Sequence, residues 1–362
     1  VGPYRELKSL TPVNEETGNT MTAMPGMIDV HTHICWAGSR SGDYAKRLSG
    51  KNYIRIAEEG GGIWSTVTKT RQAPEEMLAQ ITAAHAEMMM TEGVTSIEVK
   101  SGYGLNKDSE LKMLRAIHAA GKMTHADLIP TCLAAHIKPR DFEGTAALYL
   151  EYIVNEILPV VRSEELARRA DIYIDKGAFD EEEGRFFIKA AKDLGFDFSV
   201  HADQFFRGGL RLAVEFEAVS ADHLEATSDE DIRLISESNV IPVALPGASL
   251  GLGAGFAPAR KLLNNGASLA IASDWNPGSA PMGKLLLQAA LLGVYEKLTM
   301  AETLAAVTSR AAPVLRLMDR GIIRPGMLAD IIAFPCLDYR EIIYSQGAMP
   351  VAAVWKRGRK IQ

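Results

Sequence analysis

His31-Thr32-His33 is the feature of this sequence that most directly indicates chemistry. It follows Pro25-Gly26-Met27-Ile28-Asp29-Val30, an apolar, strand-like stretch with a turn before it. Residues i and i+2 project to the same side of a strand, so both imidazoles can bind one cation. A His-x-His pair alone is common and indicates little, but its position at the end of a predicted strand favours a metal-binding role.

His201 and Asp274 can complete such a site with a third nitrogen and an oxygen. Three histidines and one carboxylate suit zinc or another first-row ion, and the ligand types do not choose between zinc, iron and manganese. An open coordination position would hold a water whose pKa falls towards neutrality, which makes it a nucleophile.

His223, in Ser220-Ala221-Asp222-His223-Leu224, ends another apolar stretch. Taken alone, a histidine in this position is more often a hydrogen-bonded core residue than a functional one. Its predicted place beside the other histidines favours an acid/base role. Asp274 is predicted to act twice, as a metal ligand and as the group that takes a proton from the attacking water.

Eight short β-prone stretches, separated by helix-like runs, must position these side chains. The predicted strands span residues 23–30, 95–100, 127–132, 170–175, 197–201, 218–223, 240–245 and 267–274. The predicted helices include residues 74–92, 107–124, 163–169, 181–194 and 257–265. This alternation favours a TIM (β/α)₈ barrel over a doubly wound sheet. In a barrel the histidines and Asp274 meet, because the carboxyl ends of all strands converge on one face.

The two ends of the chain have a different pattern. Residues 320–334 and 352–360 resemble short strands joined by Gly/Pro turns, and the first twenty residues are similarly turn-rich. We therefore predict a catalytic barrel over residues 23–320 and a small β-sandwich-like domain formed by residues 1–22 and 321–362. The chain opens without Met, so the N-terminal part of that domain is expected to be incomplete.

Composition excludes several classes of partner. Of the 362 residues, 47% are hydrophobic and 23% charged, as in ordinary globular proteins. A formal net charge of −6 gives no reason to expect binding to nucleic acid or to an anionic membrane. Three scattered cysteines favour a reducing compartment, and no apolar run reaches the roughly 18–20 residues of a membrane span. A cytoplasmic protein with a small-molecule substrate is expected.

Further motifs extend over residues 23–335 and carry a family resemblance. With the first strand motif and the closing Gly321-x-x-x-Pro325-Gly326-x-x-Ala329-Asp330-Ile331, they resemble the amidohydrolase superfamily and, within it, the imidazolonepropionase family. The additional segments are Ala37-Gly38-Ser39-Arg40, Gly60-Gly61-Gly62-Ile63, Glu98-Val99-Lys100-Ser101-Gly102-Tyr103-Gly104-Leu105, Ala134-Ala135-His136, His201-Ala202-Asp203-Gln204, Leu245-Pro246-Gly247 and Asp274-Trp275-Asn276-Pro277-Gly278-Ser279.

The resemblance implies a reaction, a cofactor and a set of site residues. The reaction is hydrolysis of the cyclic-amide C–N bond of 4-imidazolone-5-propanoate to N-formimino-L-glutamate, a step of histidine degradation. The cofactor is one divalent or trivalent ion, zinc or iron, and its ligands fall on His31, His33, His201 and Asp274. Substrate contacts fall on Arg40, Tyr103, His136, Gln204, Asn276, Gly278 and Ser279, and we assign catalytic roles to His223, Asp274 and Gln204. A homodimer is also expected.

Two positions complicate the comparison with the family. Some members carry Glu at position 204, and because Gln204 cannot transfer a proton, we expect it to orient the ring or the water. Lys100 raises the alternative of a carbamylated lysine between two metals, as elsewhere in the superfamily. Because the histidines that such a centre needs are placed differently here, we interpret Lys100 as structural and the site as mononuclear.

Two other functions remain open. A deaminase or another cyclic-amide hydrolase would use the same metal ligands. Arg40 and Tyr103 argue against it, because the guanidinium fork of Arg40 suits a carboxylate side arm on the substrate. A non-catalytic binding protein on a decayed barrel is the second alternative, and the presence of all four candidate ligands argues against it.

Overall fold

The computed structural model describes Glu6, residues 20–50, Arg55 and residues 59–362. After a first strand, β1 (Thr22–Pro25), eight parallel strands follow one another in a single sheet in chain order. They are β2 (Met27–Asp29), β3 (Val94–Lys100), β4 (Asp127–Ala135), β5 (Arg169–Ile174), β6 (Asp197–Ala202), β7 (Ser220–His223), β8 (Ile241–Ala244) and β9 (Ala270–Ile271). The predicted (β/α)₈ barrel is confirmed.

Helices connect the strands and cover the outside of the barrel. They span Ser41–Leu48, Ile63–Gln72, Glu75–Thr91, Lys107–Ala120, Ala146–Tyr152, Leu158–Ser163, Glu181–Asp193, Gly209–Glu215, Asp229–Ser236, Pro246–Leu252, Ala259–Asn264, Leu285–Tyr295, Met300–Ala306 and Arg340–Tyr344. The helix predicted over residues 163–169 is wrong, because Ser163 ends that helix and Arg169 already begins β5. Glu165 has a left-handed φ of 53°, which is incompatible with a continuing α-helix.

The first and last strands of the barrel meet beyond their regular ends. Thr32 pairs in parallel with Trp275. The backbone N–H of Asp274 donates to the carbonyl oxygen of His31, and that of His33 donates to the carbonyl oxygen of Trp275, each at 3.0 Å. We call these contacts the seam. The seam places the residues after β2 beside the residues after β9.

The strand predicted over residues 23–30 is in fact two strands that belong to different sheets. The break is at Gly26, where a Cβ atom would lie 2.3 Å from Oγ1 of Thr95, so only glycine fits this close approach. Upstream of Gly26, β1 pairs antiparallel with β10 (Ile331–Phe334). In the same sheet, β10 pairs antiparallel with β11 (Ala353–Lys356), and β11 pairs antiparallel with β12 (Arg359–Lys360).

This four-stranded sheet combines β1, from near the start of the chain, with three strands from its last 32 residues. The division into two domains and the sandwich-like second layer remain predictions, because residues 1–5 and 7–19 lie outside the described residues. Lys356 links the sheet to the barrel. Its buried ammonium donates to Oδ2 of Asp330 at 2.6 Å and to Oδ2 of Asp127, at the start of β4, at 2.9 Å.

Candidate active site

Three imidazoles meet at the carboxyl end of the barrel. His31 and His33 follow β2, and His201 lies near the end of β6. One ring nitrogen from each lies within 4.8 Å of the other two, and all three side chains are buried. The His-x-His motif and the distant His201 therefore form one cluster, as the sequence predicted.

Asp274 faces this cluster from the other side of the seam. Its Oδ1 lies 3.3 Å from Nε2 of His33 and 3.6 Å from Nε2 of His31. Asp274 has a left-handed φ of 50°, a strained conformation that tends to occur at functional sites. Burial raises the pKa of its carboxyl group. The structure thus brings all four predicted metal ligands together.

The hydrogen bonds of the histidines fit a bound cation. The Nδ1–H of His31 donates to Oδ2 of Asp222 at 2.7 Å, and that of His201 donates to Oδ1 of Asp171 at 3.1 Å. These bonds leave the buried Nε2 of both rings without a hydrogen-bond partner among the described residues. Unpartnered buried nitrogens beside a carboxylate are what a metal ion requires, and a carboxylate on the second nitrogen is typical of metal-binding histidines.

Burial keeps these rings neutral in the absence of metal. It lowers the pKa of His31 well below its usual value and that of His33 and His201 to about 3. A neutral imidazole has a lone pair to give to a cation, whereas an imidazolium has none. The cluster therefore has the residues, burial and protonation state of a metal site.

Lys100 does not have the state that a carbamylated lysine would need. Its Nζ lies 2.8 Å from Oε1 of Glu98 and 2.7 Å from Oδ2 of Asp171. Burial alone would lower the pKa of this ammonium, but the charges of Asp171 and Glu98 outweigh burial and raise it. A protonated, doubly paired amine is not the nucleophile from which a carbamate forms, which favours a single metal.

His223 is buried beside the cluster, with its ring centroid 5.9 Å from that of His31 and 5.5 Å from that of His201. Its Nδ1 lies 3.6 Å from Oε2 of Glu225. Burial lowers the pKa of His223, but the charge of Glu225 outweighs burial and raises it. The left-handed φ of 87° at His223 turns the chain sharply where β7 ends.

Three of the predicted substrate-contacting residues surround the cluster. His136, directly after β4, stacks on His33 with ring centroids 5.4 Å apart, and its Nδ1–H donates to the carbonyl oxygen of Gly102 at 2.9 Å. The ring of Tyr103 lies beside both, with its centroid 5.9 Å from that of His33 and 5.7 Å from that of His136. Gln204 accepts a hydrogen bond from the hydroxyl of Tyr173 through Oε1 at 2.8 Å, which directs its amide N–H₂ away from Tyr173.

Three more predicted contacts, Asn276, Gly278 and Ser279, lie in the turn after Asp274. Oδ1 of Asn276 accepts hydrogen bonds from the backbone N–H groups of Gly278 and Ser279, both at 2.8 Å. The Ser279 hydroxyl is 3.5 Å from Oδ2 of Asp274. A Cβ atom at Gly278 would lie 3.0 Å from Nη1 of Arg40, so glycine leaves room for this guanidinium.

Arg40 is held from one side. Its Nε donates to Oδ2 of Asp43 at 2.6 Å, and Oδ2 of Asp43 also accepts from the backbone N–H of Gly62. This arrangement fixes the guanidinium by its Nε edge and points its outer nitrogens towards Gly278. Arg40 therefore adjoins the turn that contains Ser279, although the sequence places it far from that turn.

Four carboxylates were missed by the sequence analysis: Glu98, Asp171, Asp222 and Glu225. Asp222 directly precedes His223 in a quoted motif, and Glu98 is two residues from Lys100. Asp222 and Glu98 could therefore have been identified from the sequence as candidate site residues. Only the strand register shows that Asp171 faces His201.

None of the helices in the described part of the chain combines the length and apolar character that crossing a membrane requires.

Comparisons with known proteins agree with this site. The amidohydrolase family model matches residues 39–361. Imidazolonepropionase of Alkaliphilus oremlandii is 38% identical over 346 residues, 95% of this chain and 82% of the relative. That of Rubrobacter xylanophilus is 42% identical over 343 residues, 94% and 82% of the two chains.

Among solved structures, 5-methylcytosine deaminase from Klebsiella pneumoniae, liganded with 5-fluorocytosine, superposes with a TM-score of 0.76. The match covers 97% of this chain and 90% of that one at 16% identity, which supports the shared barrel fold alone. The relatives, in contrast, are similar enough in sequence, over at least 94% of this chain and 82% of their own length, to establish the family. This chain belongs to the amidohydrolase family and, within it, to the imidazolonepropionases.

Proposed function

We propose that this chain hydrolyses the ring C–N bond of 4-imidazolone-5-propanoate and releases N-formimino-L-glutamate. The observation that carries the proposal is the similarity, over 94% of the chain, to an imidazolonepropionase that is 42% identical. The buried histidine cluster beside an anchored arginine supports it, because this substrate combines a cyclic amide with a carboxylate arm.

His31, His33, His201 and Asp274 would hold the metal ion. A cation in this position lowers the pKa of water and polarises carbonyl groups, which is the chemistry that it supplies when bound. Asp222 and Asp171 orient the rings of His31 and His201 through Nδ1, which leaves Nε2 of each ring as the atom that would bind the ion.

Arg40 binds the propanoate carboxylate through its outer nitrogens, since Asp43 already occupies Nε. The Tyr103 hydroxyl aids this contact, and His136 and the amide of Gln204 hold the ring. The turn from Asn276 to Ser279 borders Arg40 and Asp274, so it lies against the same substrate. These contacts place the ring carbonyl carbon where water attacks it.

Asp274 and His223 move the protons. Asp274 takes a proton as the oxygen of water forms a bond to the carbonyl carbon, and the imidazole of His223 stabilises the negative charge on the carbonyl oxygen. The C–N bond then breaks, and the proton passes from Asp274 to the leaving ring nitrogen. Glu225 supports the protonated form of His223 in this role.

Three finer points accompany this proposal. We infer zinc or iron as the ion, because three nitrogens and one carboxylate suit both. The family resemblance supports a homodimer, which sedimentation velocity would measure. The three cysteines are free and buried, which supports a reducing, cytoplasmic location.

The test is the loss of imidazolone absorbance, with substrate made from urocanate by a coupling enzyme immediately before use. We expect zinc- or iron-loaded protein to consume the substrate and to release N-formimino-L-glutamate, while chelated protein is inactive. No turnover in protein that holds one equivalent of metal would contradict the substrate assignment and point to another cyclic amide or an aminated ring.

A further inference from the structure

Lys100 is almost completely buried inside the barrel, where its ammonium contacts two carboxylates at once. Nζ lies 2.8 Å from Oε1 of Glu98 and 2.7 Å from Oδ2 of Asp171, and both acids are fully buried. Each of these acids uses its other oxygen to hold a different part of the histidine cluster. We propose that Lys100 is a positioning residue that couples the two halves of the metal-ligand set, the His31–His33 segment and His201.

The first connection runs to the segment between the two ligands of the His-x-His motif. The backbone N–H of Thr32 donates to Oε2 of Glu98 at 3.1 Å, and the Thr32 hydroxyl donates to the carbonyl oxygen of Glu98 at 2.6 Å. Thr32 is bonded to His31 on one side and to His33 on the other. The carboxylate that Lys100 holds therefore fixes the backbone from which both imidazoles project.

The second connection runs to the third histidine. Oδ1 of Asp171 accepts from the Nδ1–H of His201 at 3.1 Å, while Oδ2 of the same carboxylate contacts Lys100. This bond sets the tautomer of His201 and turns its Nε2 towards the cluster. Lys100 therefore holds the carboxylate that orients His201, so it acts on this metal ligand through Asp171.

The positive charge of the Lys100 ammonium is needed for both connections, the one through Glu98 and the one through Asp171. Glu98 on β3 and Asp171 on β5 lie on strands that are separated only by β4, and burying two carboxylates this close together without a counter-charge is strongly unfavourable. Both carboxylates lie within 2.8 Å of the same ammonium, so without it they repel each other and rotate apart. That rotation disturbs Thr32 and His201, so the two halves of the ligand set lose their common support.

This inference rests on the proposed metal-binding role of the three histidines. It gives Lys100 a role in the affinity for the metal ion and none in the hydrolysis itself. The substitution Lys100→Met keeps much of the side-chain volume and removes the charge. Its matched control is Lys112→Met, because Lys112 is a partly buried lysine that donates to three backbone carbonyl oxygens away from the cluster, those of Thr70, Arg71 and Ala73.

The experiment titrates the metal-free proteins with Zn²⁺ against a chromophoric chelator and records the visible spectrum of the Co²⁺-loaded forms. We expect Lys100→Met to weaken Zn²⁺ binding about ten- to a hundred-fold, as loss of support for metal-binding histidines typically does, and to change the Co²⁺ bands. Lys112→Met should retain the affinity and spectrum of the unsubstituted protein. Circular dichroism and thermal melting of the metal-free proteins show whether each variant is folded.

A folded Lys100→Met variant with unchanged Zn²⁺ affinity and Co²⁺ spectrum would overturn the inference. If that variant does not fold, Glu98→Gln decides, since it keeps an acceptor for Thr32 and loses only the charge that pairs with Lys100. A weaker affinity for Zn²⁺ supports the coupling, and an unchanged affinity overturns it. Absence of any metal binding in the unsubstituted protein would instead contradict the proposed function.

Discussion

The Nδ1 atom of His31 lies 2.7 Å from Oδ2 of Asp222, a residue on β7, which is five strands along the sheet order from β2, the strand before His31. Asp222 therefore reaches across the barrel interior and holds the ring whose Nε2 faces Asp274.

We expect Asp222→Ala to weaken Zn²⁺ binding about ten- to a hundred-fold, because His31 loses the acceptor that fixes its tautomer. Asp222→Asn should weaken it less, since the amide oxygen can still accept from Nδ1–H. Chelator competition measures both affinities. Asp229→Ala, at an exposed acid paired with Lys261, is the control that should leave the affinity unchanged. Equal affinities in all four proteins would disprove a supporting role for Asp222.

Asp274→Asn should abolish turnover while leaving the protein folded. The amide can still occupy the space beside His33, but it cannot take a proton from water. The measurement is the steady-state rate with one metal equivalent bound, together with circular dichroism of the same sample. Substantial remaining activity in that sample would rule out the proton route through Asp274.

Arg40→Met should raise KM more than it lowers kcat, because the guanidinium contacts the carboxylate arm and not the reacting carbon. Loss of a charge-assisted hydrogen bond costs about 1.5–3 kcal/mol, or roughly ten- to a hundred-fold in kcat/KM. Arg211→Met, at a half-exposed arginine paired with Asp231, should match the unsubstituted enzyme. An unchanged KM for Arg40→Met would show that the carboxylate arm of the substrate binds to another residue.

Glu302 gives a prediction about pH and stability. Its hydrogen bond and ion pair with Arg260 lower its pKa from the usual value to about 2, and it closes a capping box with Thr299 at the helix Met300–Ala306. A lowered folded-state pKa stabilises the protein above the unfolded pKa, and this stabilisation disappears as the pH falls towards 2.

Glu302→Gln should therefore lower the urea midpoint of unfolding by a constant amount between pH 6 and 8. The difference from the unsubstituted protein should shrink as the pH falls below about 4.5, the ordinary pKa of glutamate. A difference that persisted undiminished at pH 3 would show that the effect comes from packing and not from charge.

The fold was largely predictable because each barrel strand has its own apolar pattern. Seven of the eight predicted strands appear where the sequence placed them, with shifted ends. The exception is the segment 23–30, where one strand was predicted to continue through Pro25-Gly26 although the chain changes sheet at Gly26. The Pro-Gly pair is the local signal of a turn, but the close approach of Thr95 that requires glycine there is a property of the folded structure.

The candidate site was predictable where a residue type is unusual at a strand end, as with His31 and His201. Among the supporting carboxylates, Asp171 was not predictable, because it lies within its strand and has the appearance of an ordinary polar residue. Its function depends on pairing β5 with β6 in a register that sets Tyr173 opposite His201 and Asp171 two residues earlier on the same face. Register is a property of the folded sheet.

The seam has a consequence for the order in which the site is assembled during synthesis. Its hydrogen bonds join His31 and His33, near the start of the chain, to Asp274 and Trp275, some 240 residues later. A nascent chain that has not yet emerged as far as β9 has neither a closed barrel nor a carboxylate opposite its histidines. The barrel closes, and the proposed ligand set is complete, only after Asp274 and Trp275 have emerged. We expect a ribosome-bound chain truncated before Asp274 to bind Zn²⁺ more weakly than the 362-residue chain.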